Sequence, residues 1–295
     1  MSRHPSAKAG LLRQLLRCPP GKYDFEEEQQ HRHTRRLDHI GVCVLLLLYL
    51  VLLLVLADGA NQKDLPNLEP SRLVFLAQLF NAVLAFFNLY LEFYVLPRGT
   101  KEDDDDFFVT YGPLGRWVYL THQTIGALAV HSSVSAVAPL VSKRLAFGTY
   151  AASPLVGAAG IFVTVQYFNL VYSHPDFEKQ CQVWAARGVR FGFIDCLRHS
   201  LPLVVAAFDI LFKQREALRI AMPSSVGLVR LHLLYVTFLL AVFHLNYAIT
   251  RRWPYGLMKD FGVSVTKWSV FVVAQGCILS LSGFLLSLLA SLSFW

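Results

Sequence analysis

The residues best suited to chemistry in this sequence are polar side chains within long apolar segments. His199 stands out because it lies near the middle of such a segment and is followed by Ser200 and Pro202. Proline removes a backbone donor and loosens the helix around the histidine. A neutral imidazole takes up and returns a proton near neutral pH, which makes His199 a candidate general base. An interhelical hydrogen bond is the alternative role.

Other polar residues recur in the same apolar segments. Each is costly at the centre of a bilayer unless it faces protein or water, so their number predicts a polar interior. Asp195 and Arg198 are three residues apart, a spacing that favours an ion pair on one helix face. The asparagines, glutamines and isolated histidines favour hydrogen bonds between helices. The remaining residues of this kind are Asn81, Asn88, Glu92, Thr121, His122, Gln123, His131, Gln166, Asn169, Asp209, His232, His244 and Asn246.

The sequence contains no recognisable metal or cofactor motif. No HxxxH or HExxH pattern places two imidazoles on one helical face, and the five cysteines form no CxxC pair. The acidic run at 101–106, KEDDDD, is typical of a solvated loop because adjacent carboxylates repel one another. A metal site in that run is the weaker alternative. We therefore expect no cofactor and no bound metal.

The composition indicates which elements position these residues. Of the 295 residues, 55% are hydrophobic and 16% are charged, and the mean hydropathy is +0.44. An average soluble protein has about 25% charged residues. The apolar residues also occur in long blocks, which argues against a soluble domain, a disordered chain and a disulfide-stabilised scaffold. The predicted class is an all-α, polytopic membrane helix bundle.

Seven apolar blocks are about as long as a membrane-spanning helix, which needs about 20 mostly apolar residues. The block 40–57 has no charged residue and starts too far along the chain for a cleaved signal peptide. The third and fourth blocks are rich in small residues that allow close packing, so we expect these two helices inside the bundle. The seven predicted spans are 40–57, 73–96, 117–140, 147–171, 189–212, 226–249 and 264–292.

Charge outside the spans predicts the orientation. We expect residues 1–38 to form a disordered, basic cytoplasmic tail and residues 39–295 to form the bundle. The inside segments then hold 16 Lys and Arg and the outside loops hold 7, as expected for a membrane protein. This distribution, rather than nucleic-acid binding, accounts for the net charge of +7. The expected partners are the bilayer and a lipid substrate, and the expected location is an endomembrane, such as the endoplasmic reticulum, or the plasma membrane.

Four short motifs, in order, resemble those of the androgen-induced and androgen-dependent multi-pass membrane proteins. Residues 111–121, YGPLGRWVYLT, resemble the family's YGG-x-W-K-[FY]-L-T stretch, and LVY at 170–172 resembles its I-Y-P element. LRHS at 197–200 resembles N-H-x-x-H-T, and TRRWPY at 250–255 resembles T-G-x-W-V-Y-P. The likeness covers about residues 73–295 and implies a six-span core, to which the span 40–57 adds an N-terminal helix.

This resemblance implies an intramembrane hydrolase of lipid esters, such as fatty acid esters of hydroxy fatty acids. Thr121 would be the nucleophile and His199 its proton-transfer partner. Thr121 Oγ1 and a ring nitrogen of His199 should then face one cavity about 3–5 Å apart. The two residues differ in depth by about 9 Å at 1.5 Å per residue, which neither excludes nor favours contact. We expect Asp195 to orient the imidazole, and His122 and Gln123 to donate to the oxyanion.

Two departures from the family pattern leave other functions open. Arg116 replaces a small residue, and Cys196 stands where the first histidine of N-H-x-x-H would be. An inactive membrane scaffold is therefore one alternative. A proton-linked or solute transporter is another, although the sequence shows no inverted repeat. Its relay groups would be His131, Asp209, His244 and Glu92.

Overall fold

The fold is a bundle of α-helices. A computed structural model describes residues 25–58, 72–95, 112–186, 188–255, 258–259 and 264–290, and no β-strand occurs in these ranges. Residues 1–24 of the basic tail and the acidic run at 101–106 lie outside them. The α-helices in these ranges are α1 (Phe25–Asp58), α2 (Arg72–Tyr90), α3 (Leu120–Val141), α4 (Lys143–Gln166), α5 (Pro175–Ala186), α6 (Phe191–Leu211), α7 (Arg215–Ala221), α8 (Ser225–Thr250) and α9 (Val265–Ala290).

Three short elements extend or precede these helices at one end of the bundle. α2 continues as a π-helical turn over Leu91–Val95, and α4 continues as another over Tyr167–Tyr172. A 3₁₀ turn at Gly115–Val118 precedes α3. The turn after α2 contacts the segment before α3 through Glu92 and Arg116, and the turn after α4 contacts α6 through Tyr167 and His199. These helix ends therefore lie together at one side of the bundle.

In the part of the chain that the structure describes, seven helices are long and apolar enough to cross a membrane, which confirms the predicted number. Each overlaps one predicted span, with boundaries that differ by a few residues because hydropathy does not mark helix caps. The chain is therefore built as a multi-pass, all-α membrane protein. The spans are Arg36–Ala57, Arg72–Val95, Leu120–Val141, Lys143–Tyr172, Phe191–Leu211, Ser225–Thr250 and Val265–Ala290.

Helix α1 begins well before its membrane span. It starts at Phe25, so residues 25–38, which were expected to belong to a disordered tail, are helical. Trp117 secures this part of the helix to the bundle, because its Nε1 donates to the carbonyl of Leu37 at 3.1 Å. The same indole lies directly against Gly41, where a side chain would overlap the ring. The N-terminal helix α1 thus packs against the segment that precedes α3.

Helices α3 and α4 lie inside the bundle, as their small residues predict. In the most hydrophobic part of each span, 61% and 50% of the residues are buried, the largest fractions among the seven. Only Ser142 separates the two helices, and its hydroxyl accepts a backbone hydrogen bond from the first turn of α4 at 3.5 Å. A Cβ at Gly148 or Gly160 would lie 2.8 Å from a carbonyl oxygen of Leu53 in α1 or Pro202 in α6.

A row of amide side chains on α2 sets its register against α6. Gln78, Asn81 and Asn88 are buried, and they donate to carbonyl oxygens of α6 at 3.4, 3.1 and 3.0 Å. The two helices run antiparallel, because the acceptors occur in descending order along the chain. These contacts confirm the interhelical role expected for such residues. The acceptors are Asp209, Val205 and Arg198.

Candidate active site

Thr121 is the second residue of α3, and the segment before it determines where that helix begins. Gly115 has a positive φ of 54°, which glycine adopts readily, and it starts the 3₁₀ turn. Tyr119 is extended and precedes the helix without a side-chain cap. Because the first N–H groups of a helix have no partner within it, the start of α3 places backbone donors beside the Thr121 hydroxyl.

Thr121 and His199 come together although they lie on different helices. Thr121 Oγ1 lies 3.4 Å from His199 Nε2, within the range expected for a nucleophile and its base. Both side chains line one cavity. We call this pair the dyad. At 3.4 Å, its hydrogen bond is longer than most hydrogen bonds between side chains.

The other ring nitrogen of His199 determines which tautomer faces Thr121. Nδ1 lies 2.8 Å from the carbonyl oxygen of Asp195, which only accepts, so Nδ1 carries the proton and donates it. Nε2 then directs its lone pair toward Thr121 Oγ1, as a general base must. The Asp195 carboxylate is farther away, with Oδ1 3.6 Å from Nδ1. Asp195 therefore contacts the imidazole through its main chain rather than through its carboxylate.

Helix α4 and its π-helical end hold His199 in place. The ring of Tyr167 stacks on the imidazole, with centroids 3.7 Å apart and planes inclined by 5°. Thr164 Oγ1 donates to the His199 carbonyl at 2.6 Å. Tyr167 is the first residue of the π-helical turn, an irregularity that is frequent at functional sites. The His199 side chain is 6% exposed, so its ring would have to displace packed side chains to rotate.

A buried charged network surrounds the dyad. Glu92 binds both Arg116 and Arg198, and its Oε1 lies 3.1 Å from His122 Nδ1. Arg198 Nε also donates to Asp195 Oδ1 at 2.7 Å, which confirms the expected ion pair. Arg116 departs from the family pattern, and the structure gives this arginine a partner, because Nη1 also donates to the Glu92 carbonyl at 2.7 Å.

His122 and Gln123 do not face the dyad, although both were expected to bind the oxyanion. His122 Nε2 lies 3.3 Å from Asp38 Oδ1 in α1, and its ring contacts Trp117 edge-on. Gln123 Nε2 donates to the Trp117 carbonyl at 2.5 Å. Neither residue lines the cavity. The reason is helix geometry, because residues one and two positions apart project from different faces.

A cavity of about 780 Å³ lies beside the dyad. Small-molecule sites usually measure roughly 300–1,000 Å³, so the volume suits an organic ligand. Polar residues surround the dyad, and α5 contributes Lys179 and Gln180. Apolar side chains from α4, α8 and α9 line much of the remaining wall, and they include Phe162, Val163, Val236, Leu239, Phe243 and Leu279. Such a lining favours a mainly apolar ligand with a polar group at the dyad.

Sequence reasoning missed two polar groups of this cavity. The hydroxyl of Tyr255, which follows α8, accepts a hydrogen bond from Leu120 N at 2.8 Å. Gln166 has a buried Nε2 without a partner among the described residues. Tyr255 belongs to the TRRWPY motif, but nothing in that motif indicates its contact with α3. In the sequence, Gln166 is one of several polar residues within the spans, and nothing sets it apart from the others.

A second buried polar cluster lies away from the cavity. His131 Nε2 lies 2.8 Å from Asp209 Oδ2, and the hydroxyl of Tyr49 lies 2.5 Å from His131 Nδ1. Lys213 Nζ donates to Asp209 Oδ2 at 3.1 Å and to Ser153 Oγ at 2.5 Å. None of these residues lines the cavity. The cluster joins α1, α3, α4 and α6 without taking part in the dyad.

Comparison with known proteins finds no matching family model, no matching curated protein and no matching solved structure. The family resemblance of the four motifs therefore stays a prediction. Among the described residues, no group of three or more His, Cys, Asp and Glu side chains is placed to hold a metal ion. Function is thus inferred from the dyad and its cavity.

Proposed function

We propose that this protein is an intramembrane hydrolase of lipid esters, with Thr121 as the nucleophile and His199 as the general base. Fatty acid esters of hydroxy fatty acids, or similar esters, are the proposed substrates, as the motif resemblance implies. The observation that carries the proposal is the 3.4 Å distance between Thr121 Oγ1 and His199 Nε2, at a cavity with a largely apolar wall.

In the first half of the proposed reaction, Thr121 Oγ1 attacks the ester carbonyl carbon while its proton passes to His199 Nε2. The carbonyl π electrons move onto the oxygen and form a tetrahedral oxyanion. When the carbonyl re-forms, the bond to the leaving oxygen breaks, and that oxygen takes the proton from the imidazolium. The products are a free alcohol and an acyl group on Thr121.

In the second half, water attacks the acyl group and gives a proton to His199 Nε2. The second tetrahedral oxyanion collapses, and the bond to Thr121 Oγ1 breaks as the imidazolium returns its proton to that oxygen. One water is consumed, and a carboxylic acid is released. The Asp195 carboxylate, 3.6 Å from His199 Nδ1, stabilises the positive imidazolium in both halves.

The cavity suits a substrate that arrives from the bilayer. Its apolar walls lie on α4, α8 and α9, and a lipid chain placed against them loses contact with water. The proposed location is an endomembrane or the plasma membrane, with the N-terminus in the cytoplasm. The dyad would then lie near the cytoplasmic face.

Covalent labelling tests the proposal. Purified protein in detergent or nanodiscs is treated with a fluorophosphonate probe, and the labelled residue is identified by mass spectrometry. We expect labelling at Thr121 that is lost in Thr121→Ala and in His199→Ala. The matched control is Thr237→Ala, because Thr237 is exposed on α8 and donates to the Leu233 carbonyl at 2.8 Å. Wild-type protein without labelling, or labelling unchanged in Thr121→Ala, would contradict the proposal.

A proton-linked or solute transporter is the second candidate, and the contact between His131 and Asp209 is the observation in its favour. The other two relay candidates have different partners. His244 Nδ1 lies 2.7 Å from the carbonyl of Leu240, and Glu92 binds arginines. Solute uptake by proteoliposomes that persists in Thr121→Ala and stops in Asp209→Asn would support transport. An inactive scaffold would show neither uptake nor hydrolysis.

A further inference from the structure

The hydroxyl of Tyr255 lies against the start of the helix that carries Thr121. Leu120 N donates to this hydroxyl at 2.8 Å, and Leu120 directly precedes the proposed nucleophile. The N–H of Thr121 also interacts with the phenol oxygen. Tyr255, Leu120 and Thr121 all line the cavity. The phenol oxygen is therefore held beside the position at which an ester carbonyl meets Thr121 Oγ1.

The hydrogen bonds of this phenol leave its proton available. A tyrosine hydroxyl donates one hydrogen bond and also accepts, and here backbone N–H groups occupy its acceptor side. Within the described part of the chain, no group accepts the Tyr255 proton at hydrogen-bond distance. The cavity is thus the side from which an acceptor would reach it.

We propose that the Tyr255 hydroxyl donates the hydrogen bond that stabilises the oxyanion formed when Thr121 attacks the substrate ester. This assignment rests on the proposed function, because it names a further group for the same reaction. The ester carbonyl oxygen becomes negatively charged as the Thr121 Oγ1–carbon bond forms. A donor already fixed at that place stabilises the charge without reorganising.

The environment of Tyr255 keeps its hydroxyl protonated and polarises its O–H bond. The N-terminus of α3 carries a partial positive charge, and hydrogen bonds to the phenol oxygen polarise its O–H bond. Burial raises the pKa of Tyr255 above its ordinary value, so the hydroxyl stays protonated at physiological pH. The expected result is a neutral phenol that donates throughout the working pH range.

Neighbouring aromatic rings keep Tyr255 in place. Its ring contacts Tyr119 and Phe243 edge-on, with centroids 5.7 and 5.9 Å away. The chain reaches this position through a sharp turn after α8, where Arg251 has a φ of 59°. Asn246 Nδ2 donates to the Arg252 carbonyl at 3.0 Å and secures that turn. The hydroxyl therefore needs no rearrangement to meet a substrate.

Arg198 and Gln166, two other donors that line the cavity, are less well placed. The Arg198 guanidinium is bound by Glu92 and Asp195. Gln166 has a donor without a partner among the described residues, but it lies on α4 and makes no hydrogen bond to the start of α3 that would hold it there. His122 and Gln123 face away from the cavity. Of these donors, Tyr255 is the one that both lines the cavity and accepts a hydrogen bond from the first residue of α3.

Tyr255→Phe tests the proposal, because it removes the hydroxyl and keeps the ring contacts. We expect kcat for ester hydrolysis to fall by about 10²–10³-fold, with KM nearly unchanged, because a donor to the oxyanion acts in the transition state. The matched control is Tyr247→Phe, since Tyr247 stacks on Trp253 and does not line the cavity. Wild-type kcat in Tyr255→Phe, or a loss of kcat seen only in Gln166→Leu, would overturn the assignment.

A second substitution separates catalysis from folding. Replacing Tyr255 with 3-fluorotyrosine makes the phenol more acidic while its shape hardly changes. We expect kcat to change by about two- to fivefold, as acidity alters the strength of the donated hydrogen bond. An unchanged kcat with fluorotyrosine contradicts the proposal even if Tyr255→Phe does not fold. If wild-type protein shows no Thr121-dependent hydrolysis, the proposed function fails as well. If hydrolysis depends on Thr121 but both Tyr255 variants keep the wild-type kcat, the proposed function stands and only this inference fails.

Discussion

The side-chain amide of Asn88 in α2 donates to the carbonyl of Arg198 in α6 at 3.0 Å. Within a regular helix that carbonyl would accept from the N–H four residues later, but this residue is Pro202, which has none. Asn88 therefore supplies the missing donor across the helix interface. Because His199 follows Arg198, this contact also fixes the main chain that carries the proposed base.

The first prediction concerns this contact. Asn88→Ala leaves the Arg198 carbonyl without a partner, so the free energy of unfolding should fall by about 1–3 kcal/mol. Pro202→Ala restores a backbone N–H, and Asn88→Ala should cost less in that background. Thermal and denaturant unfolding in detergent measure both effects. Asn169→Ala is the control, because Asn169 is exposed. If Asn88→Ala lowers the free energy of unfolding equally with and without Pro202→Ala, the amide does not replace the missing donor.

The second prediction concerns the charge on Glu92. Glu92→Gln leaves Arg116 and Arg198 without their shared carboxylate in a buried site, so unfolding should become easier by roughly 3–5 kcal/mol. Adding Arg116→Gln removes one unpaired charge and should recover part of that loss. The exposed Glu178→Gln in α5 is the matched control. Equal stabilities of the single and double variants would mean that the charges are not coupled.

The third prediction concerns the ring that stacks on His199. Tyr167→Leu removes the flat surface 3.7 Å from the imidazole, and kcat should fall by about 10- to 100-fold because the base is less well positioned. Tyr167→Phe keeps an aromatic face and should lose much less. Steady-state hydrolysis separates kcat from KM. Similar losses in both variants would assign the effect to the phenol hydroxyl rather than to stacking.

The fourth prediction separates the second cluster from catalysis. Lys213→Met leaves Asp209 buried without its cation, so stability should fall by roughly 3–5 kcal/mol. Arg215→Met, on an exposed neighbour, should change it by less than about 0.5 kcal/mol. Activity per folded molecule should stay unchanged, because Lys213 and Asp209 lie outside the cavity lining. A folded Lys213→Met variant with lost hydrolysis would link the cluster to the reaction.

The fifth prediction concerns orientation. With the seven spans found among the described residues, we expect the two termini on opposite sides of the membrane, and the distribution of Lys and Arg predicts a cytoplasmic N-terminus. A glycosylation acceptor fused to the C-terminus should be modified in the endoplasmic reticulum, whereas one fused to the N-terminus should not. Modification of the N-terminal acceptor alone would reverse the predicted orientation.

The sequence by itself determined the seven helices, their order and the polar interior. These features follow from local properties, since the length of an apolar block and the small residues within it depend only on neighbouring positions. The ion pair of Asp195 and Arg198 was predictable for the same reason, because the two residues are three apart on one helix.

Only the tertiary structure decided which side chains meet. The estimated depths of Thr121 and His199 left a gap of about 9 Å, since sequence periodicity does not report how neighbouring helices are shifted and rotated. In the structure, Thr121 Oγ1 and His199 Nε2 are 3.4 Å apart. The contact of the Tyr255 hydroxyl with the start of α3 was equally hidden from the sequence. It depends on packing between distant segments, which no local pattern encodes.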